Sequence, residues 1–316
     1  MTRRATSTDE KEPAISPLAH GADSAPPLGL HSLLTSWPFE PLVYAALAVA
    51  GALYLWGWRR VPAFPRWRVT AFAFGLGACF VALAGPVAAY DTTLFSVHML
   101  QHLLLVSVAG PLLALGAPVA LAVRAARPPL RRRTVGVLHS PPLRFLGHPV
   151  VTWLLLAAVL WLTHFTGFYN AALESEPLHV VEHALYLTAA FLFWWPVVGA
   201  DPGAHRLGYP ARLAYIVLTM PQQTVVGLAV YSAGRVMYSH YATLQRTWGP
   251  SPPADQQLAG QLMWIGGNLL MLAPFVAVVF AWMRYEERQA RRVDRRLDRA
   301  AAEADAVEEA RRPPAP

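Results

Sequence analysis

LFSVHMLQHLLLVSVAGPLLALG, residues 94–116, decides the fold. Nearly every position is apolar, yet His98, Gln101 and His102 sit inside it. The stretch exceeds the roughly 20 residues a helix needs to cross about 30 Å of hydrocarbon. Apolar character continues to Val123, but Pro111, Gly116 and Pro118 interrupt it. We therefore expect a membrane helix ending near Gly116, followed by a short interfacial piece, Pro118–Val123.

Six similar runs flank it, at about 41–58, 69–89, 149–166, 178–198, 212–232 and 257–283. The expected fold is all-α: a polytopic bundle of seven transmembrane helices over residues 39–285. Residues 1–38 are polar and rich in Pro and Ser, without the apolar core and cleavage site of a signal peptide, and are expected to form a disordered extracytoplasmic tail. Residues 286–316 interleave Glu and Arg and are expected to be a charged cytoplasmic tail, partly helical.

Composition agrees. Apolar residues make up 55% of the 316 and charged residues only 14%, against about 25% in soluble domains. The net charge of +7 invites a nucleic-acid partner. The arginines, however, sit in short loops and a tail beside apolar runs, which is membrane topology rather than a nucleic-acid patch. A lone cysteine, Cys79, permits neither an internal disulfide nor a CxxC metal site. Any bound metal must be held by His, Met, Asp or Glu.

Orientation follows from the basic residues. Of 26 Lys and Arg, 21 fall in the 59–68, 117–148 and 199–212 regions and the C-terminal tail, all on one side. The positive-inside rule puts that side in the cytoplasm, so the N-terminus is expected outside and the C-terminus inside.

This direction gives the histidines a depth. His20 and His31 lie in the N-terminal tail, and His139, His148 and His205 at cytoplasmic loops or helix ends. His98, His102, His164, His179 and His183 all fall in the extracytoplasmic half of the membrane region, with His240 in the outer loop. His98 and His102 are four residues apart, as are His179 and His183. In a helix each pair shares one face, as in HxxxH metal sites. Polar side chains in a bilayer are costly and mark function; the alternative is that they only hydrogen-bond between helices. We take His98, His102, His164, His179 and His183 as the candidate metal ligands, with Met263, Asp255 and Glu182 as further candidates. Without thiolates, His with Met suits copper and His with carboxylate suits zinc. Met99 is one residue from His98 and points off that face. Deeper in the membrane, the Pro221-Gln222-Gln223-Thr224 interruption reads as a kink whose freed carbonyl the glutamines satisfy, and Asn268 as an interhelical hydrogen bond.

Several segments carry a resemblance. Phe95-Ser-Val-His98-Met-Leu-Gln101-His102-Leu-Leu resembles the hallmark of the CtaG family of cytochrome c oxidase assembly factors. Pro111-Leu-Leu-Ala-Leu-Gly-Ala-Pro118, His148-Pro149-Val, Phe193-Trp-Trp-Pro196 and Asp255-Gln-Gln-Leu-Ala-Gly260-Gln-Leu-Met-Trp264 follow in the family's order, so the resemblance runs from about residue 40 to 285. It implies a multi-pass protein of the bacterial plasma (inner) membrane that supports assembly of a haem–copper oxidase, with a copper-delivery role. It implies His98 and His102 as motif histidines; His164, His179 and His183 are added from depth alone. Cytochrome c oxidase subunits or other copper-handling proteins, and the lipid bilayer, are the expected partners.

Three other readings stand beside this non-enzymatic one. A seven-helix zinc hydrolase would use three histidines, with Asp91 or Glu182 as acid–base group. A bis-histidine haem carrier would use His102 and His183. A copper permease needs a polar path through the inner half, where only Gln222, Gln223 and Asn268 stand.

Overall fold

The computed structural model describes residues 26–202 and 205–311, and those residues are helices and connecting turns without a strand. Six helices are long and apolar enough to cross a membrane: Pro41–Arg60, Arg66–Leu83, Phe95–Ala125, Glu176–Val198, Tyr209–Ser232 and Pro252–Glu303. A seventh candidate is the pair Pro149–Phe165 and Phe168–Glu174, bent by 74°. Its straight part has 17 residues, about 26 Å at 1.5 Å per residue. We number the seven spans in chain order, the bent pair being the fourth.

The spans start where local chemistry starts helices. Pro41, Pro149, Pro177, Pro210 and Pro252 each occupy a first turn, where proline loses no hydrogen bond. The second span stops at Leu83, six residues before the expected end. Gly85 and Pro86 follow, and a residue before proline leaves helical geometry. The seventh begins at Pro252, ahead of the expected 257, because its polar first turns face protein: Asp255 and Gln256 are buried. The third turns sharply at Ala117, whose φ of 48° is left-handed; Pro118–Ala125 then forms the separate piece expected there.

In the N-terminal tail, the described part contains a short helix, Leu30–Thr35, and Trp37 packs edge-on against Phe80 of the second span. Residues 1–25, with His20, lie outside the described residues. At the other end, the seventh span continues as one helix to Arg311.

Two spans are locally underwound. Leu104–Ala109 in the third and Leu262–Gly266 in the seventh are π-helical, a distortion that leaves backbone carbonyls free and recurs at functional sites. Both are compensated by neighbours. Trp194 donates its indole N–H to the Val106 carbonyl at 2.8 Å. Gln223 donates to the Met263 carbonyl at 2.9 Å. So Gln223, two residues past Pro221, serves the seventh span, not the kink of its own helix as expected. Asn268 donates to Thr224 Oγ1 at 2.9 Å, an interhelical bond as expected.

The lateral surface is apolar: Leu53, Phe74, Leu162, Leu218 and Leu269 are all at least 60% exposed. The two ends differ. At one, Arg68 donates to the Leu115 carbonyl, Tyr54 to that of Gly116, and Asp201 accepts from the Ala120 N–H. This end carries the arginine-rich loops. At the other, the 84–94, 166–175 and 233–251 loops interlock: Tyr241 donates to the Asp91 carbonyl, Arg246 to that of Thr93, and Tyr238 to that of His164. The five candidate histidines belong to this arginine-poor end.

Candidate metal centre

The third span brings His98 and His102 to one face, as four-residue spacing requires, and their Nε2 atoms lie 3.0 Å apart. The fifth span brings Glu182 to the same point. Its carboxylate oxygens lie 3.7 Å from His98 Nε2 and 3.8 Å from His102 Nε2. His183 joins these two: His98, His102 and His183 each present a ligand atom within 4.8 Å of the others. His98, His179 and Glu182 form a second such group, and Asp91, His179 and His183 a third. The groups share members, so the sites overlap in one cluster between the third and fifth spans and the loop before the third.

Hydrogen bonds fix which nitrogens are available. Tyr241 has one hydroxyl proton and gives it to the Asp91 carbonyl, 2.6 Å away. Its oxygen therefore accepts from His98 Nδ1 at 3.2 Å, and His98 Nε2 is left with a lone pair. Gln101 donates from Nε2 to two acceptors, the Ala82 carbonyl at 2.8 Å and Asp91 Oδ2 at 2.7 Å. This settles its amide orientation. Gln101 Oε1 then accepts from His183 Nε2 at 2.9 Å, leaving the His183 lone pair on Nδ1. An imidazole held through its far nitrogen is the usual support of a metal-binding histidine.

The residues fit a cation. Glu182 is fully buried, and neither of its carboxylate oxygens has a hydrogen-bond partner among the described residues. His179 Nε2 is in the same condition, 3.9 Å from Asp91 Oδ2. A buried carboxylate without hydrogen bonds is expensive. An ion between Glu182 and the two Nε2 atoms, replacing the proton that His102 Nε2 gives to His98 Nε2, would compensate it, and ligand separations of 3.0–3.8 Å suit bonds of roughly 2.0–2.2 Å.

The other candidates stand elsewhere. His164 ends the fourth span, with its ring centroid 6.4 Å from that of His102; its Nε2 faces Met99 Sδ at 3.4 Å. Met263 lines the same small space as Met99 and His164. Asp255 is a helix cap, not a member of the cluster. It accepts from the Phe95 N–H at 2.8 Å, the Ser96 N–H at 3.3 Å and the Ser96 hydroxyl at 2.5 Å, with Arg246 at 3.5 Å. Its acidity serves the positive end of the third span. His240 binds the Thr92 carbonyl at 2.8 Å.

Sequence reasoning gave Gln101, Tyr241 and Met99 no part. Gln101 lies within the motif, one residue from His102, and an amide buried in a bilayer was a signal of its own. Tyr241 carried none, since its loop meets the third span only through the fold.

With this geometry in view, the comparisons with known proteins are informative. The family described as cytochrome c oxidase caa3 assembly factor (Caa3_CtaG) matches residues 52–285. An uncharacterized protein of Mycobacterium bovis and another of Mycobacterium tuberculosis are each 32% identical over 290 residues, covering 88% of this chain and 44% of theirs. An uncharacterized protein of Mycobacterium leprae is 29% identical over 297 residues, covering 90% of this chain and 45% of its own. The chain thus spans less than half the length of these relatives. No solved structure matches it. The family match covers every element that builds the histidine cluster, and the chain belongs to the caa3-type cytochrome c oxidase assembly factor family, CtaG.

Proposed function

We propose that this protein supports assembly of a haem–copper oxidase in the bacterial plasma membrane, binding copper as cargo at His98, His102, His183 and Glu182. The observation that carries the metal-binding reading is the buried Glu182 carboxylate, unpartnered and 3.7–3.8 Å from two histidine nitrogens. Imidazole suits copper, and the absence of thiolates leaves a site whose ligands exchange. With the arginine-rich end in the cytoplasm, the cluster faces outward, and oxidase subunits or other copper-handling proteins would receive the ion on that side. Asp91, Gln101 and Tyr241 orient the histidines.

The test is metal content of purified protein, wild type against His98→Ala/His102→Ala, together with oxidase copper content in cells carrying each. Copper above background that the double variant loses supports the reading. Copper-free wild-type protein, or unchanged loading in the variant, ends it.

One observation favours a second reading. Two carboxylates, Glu182 and Asp91, enter the cluster, and His with carboxylate is a zinc set. A zinc-dependent hydrolase would show bound zinc and turnover in a lipid amide and ester screen. The haem reading loses ground, because His98 Nε2 stands 3.0 Å from His102 Nε2, where the iron would have to sit.

A further inference from the structure

Beside the cluster, deeper in the bundle, lies a cavity of about 40 Å³, lined by Met99, His164, Met263, Tyr186 and Gln222 among others. That volume admits an ion or one to three waters. His102 lines it too, so this ring separates the cavity from the Glu182 centre.

His164 is held there in one tautomer. Its Nδ1 lies 2.8 Å from the Leu160 carbonyl, which only accepts, so Nδ1 carries the proton. Nε2 therefore presents a lone pair, and it presents it to the Met99 thioether at 3.4 Å. Sulfur has no proton to offer. Two electron-pair donors thus face each other, and both side chains are buried. A packing contact between methionine and an aromatic ring places sulfur about 5 Å from the ring, often at its edge; here it stands against the one unprotonated nitrogen. A soft cation between them resolves the arrangement. With bonds of roughly 2.0 Å to nitrogen and 2.3 Å to sulfur, a separation of 3.4 Å corresponds to a near-tetrahedral angle at the ion. Met263, in the seventh span, lines the same cavity and brings a second thioether.

We propose that Met99, His164 and Met263 form a second metal station, separate from the Glu182 centre and selective for a soft monovalent cation, Cu(I). The inference rests on the copper reading above. Thioether and imidazole without carboxylate select Cu(I), whereas the Glu182 centre, with its hard oxygen donors, accepts divalent ions as well. His102 borders both stations, with ring centroids 6.4 Å from His164, so an ion passing between them has a ligand on the way.

The test uses the full-length protein in detergent, titrated under reducing conditions with Cu(I) and, separately, with Zn(II). Met99→Leu/Met263→Leu should lose one equivalent of Cu(I) and none of Zn(II). Glu182→Gln/His98→Ala should lose the Zn(II) and keep the methionine-bound Cu(I). X-ray absorption of the copper-loaded wild type should show a sulfur scatterer that the methionine variant lacks. A copper spectrum free of sulfur, with stoichiometry unchanged in the methionine variant, overturns this proposal and leaves the Glu182 reading standing. Unchanged copper in the Glu182/His98 variant, with all of it lost in the methionine variant, supports this station and overturns the Glu182 reading instead. Should the methionine variant fail to fold, wild-type protein grown with selenomethionine decides: copper seen from the selenium edge supports the station, and its absence overturns it.

Discussion

The Tyr241 hydroxyl donates to the backbone carbonyl of Asp91 at 2.6 Å, and this one contact sets the protonation of a histidine in another element. Because the proton is committed to Asp91, Tyr241 receives one from His98 Nδ1, which turns the His98 Nε2 lone pair toward Glu182. Tyr241→Phe removes the acceptor while keeping the ring that stacks on Phe95. We expect copper affinity to fall about 10- to 100-fold, the usual cost of losing such a support, with helix content unchanged. Competition titration against a chelator of known affinity measures it; an unchanged constant means that Tyr241 does not orient the site.

Asp255 caps the third span and lies outside the histidine cluster. Asp255→Ala leaves the Phe95 and Ser96 donors without their acceptor, so stability should fall by about 1–3 kcal/mol. Copper per folded molecule should stay at the wild-type value. Thermal unfolding in detergent with parallel metal analysis separates the two. Loss of metal from a variant as stable as wild type would return Asp255 to the site.

The sixth and seventh spans touch backbone to backbone. A Cβ added at Gly260 would lie 2.6 Å from the Tyr231 nitrogen and 2.7 Å from the Gly227 carbonyl, and neither atom can swing aside. Small residues allow this approach in membranes. Gly260→Ala should therefore lower stability by about 1–3 kcal/mol and disturb the cavity wall at Met263, three residues on. A melting temperature equal to wild type would show that the two helices have room to part.

At the arginine-rich end, Asp201 accepts from the Ala120 N–H, yet burial raises its pKa to about 6, against the lowering effects of that bond and of Arg68. The folded state thus holds this proton more tightly than the unfolded chain, whose value is near 3.8. Between those values the native state binds more protons, so the contribution to stability is present below pH 4 and declines as pH rises through 6. The change is on the order of 2–3 kcal/mol. Asp201→Asn, which keeps the acceptor, should flatten that part of the stability profile. An identical slope in the variant would place the titration elsewhere.

Much of the architecture was legible because it is local. Each span announced itself by an apolar run, and most opened on a proline near the expected position. The Gly116–Ala117 turn was marked by Gly116 and Pro118. Where boundaries slipped, the cause was also local: Pro86 ended the second span early, and the polar Asp255 and Gln256 hid the start of the seventh. The candidate site was legible by half. Four-residue spacing puts His98 with His102 and His179 with His183 whatever the partners. Asp255 misled because a carboxylate near histidines looks the same in sequence whether it meets an ion or a helix N-terminus.

The sequence alone determined a many-span helical protein with its five membrane-embedded histidines at the arginine-poor end, since hydropathy and charge are read along the chain. The tertiary structure alone decided which lone pairs converge. Met99 does point away from the His98 face, because successive helical residues are about 100° apart. Only the packing of the fourth span against the fifth and sixth puts His164 where Met99 points. Asp255 and Phe95 stand 160 residues apart and meet at 2.8 Å. Tyr241 and Gln101 choose the nitrogens. A hydrogen bond is a relation between two positions in space, and these pairs share no local pattern that either segment records.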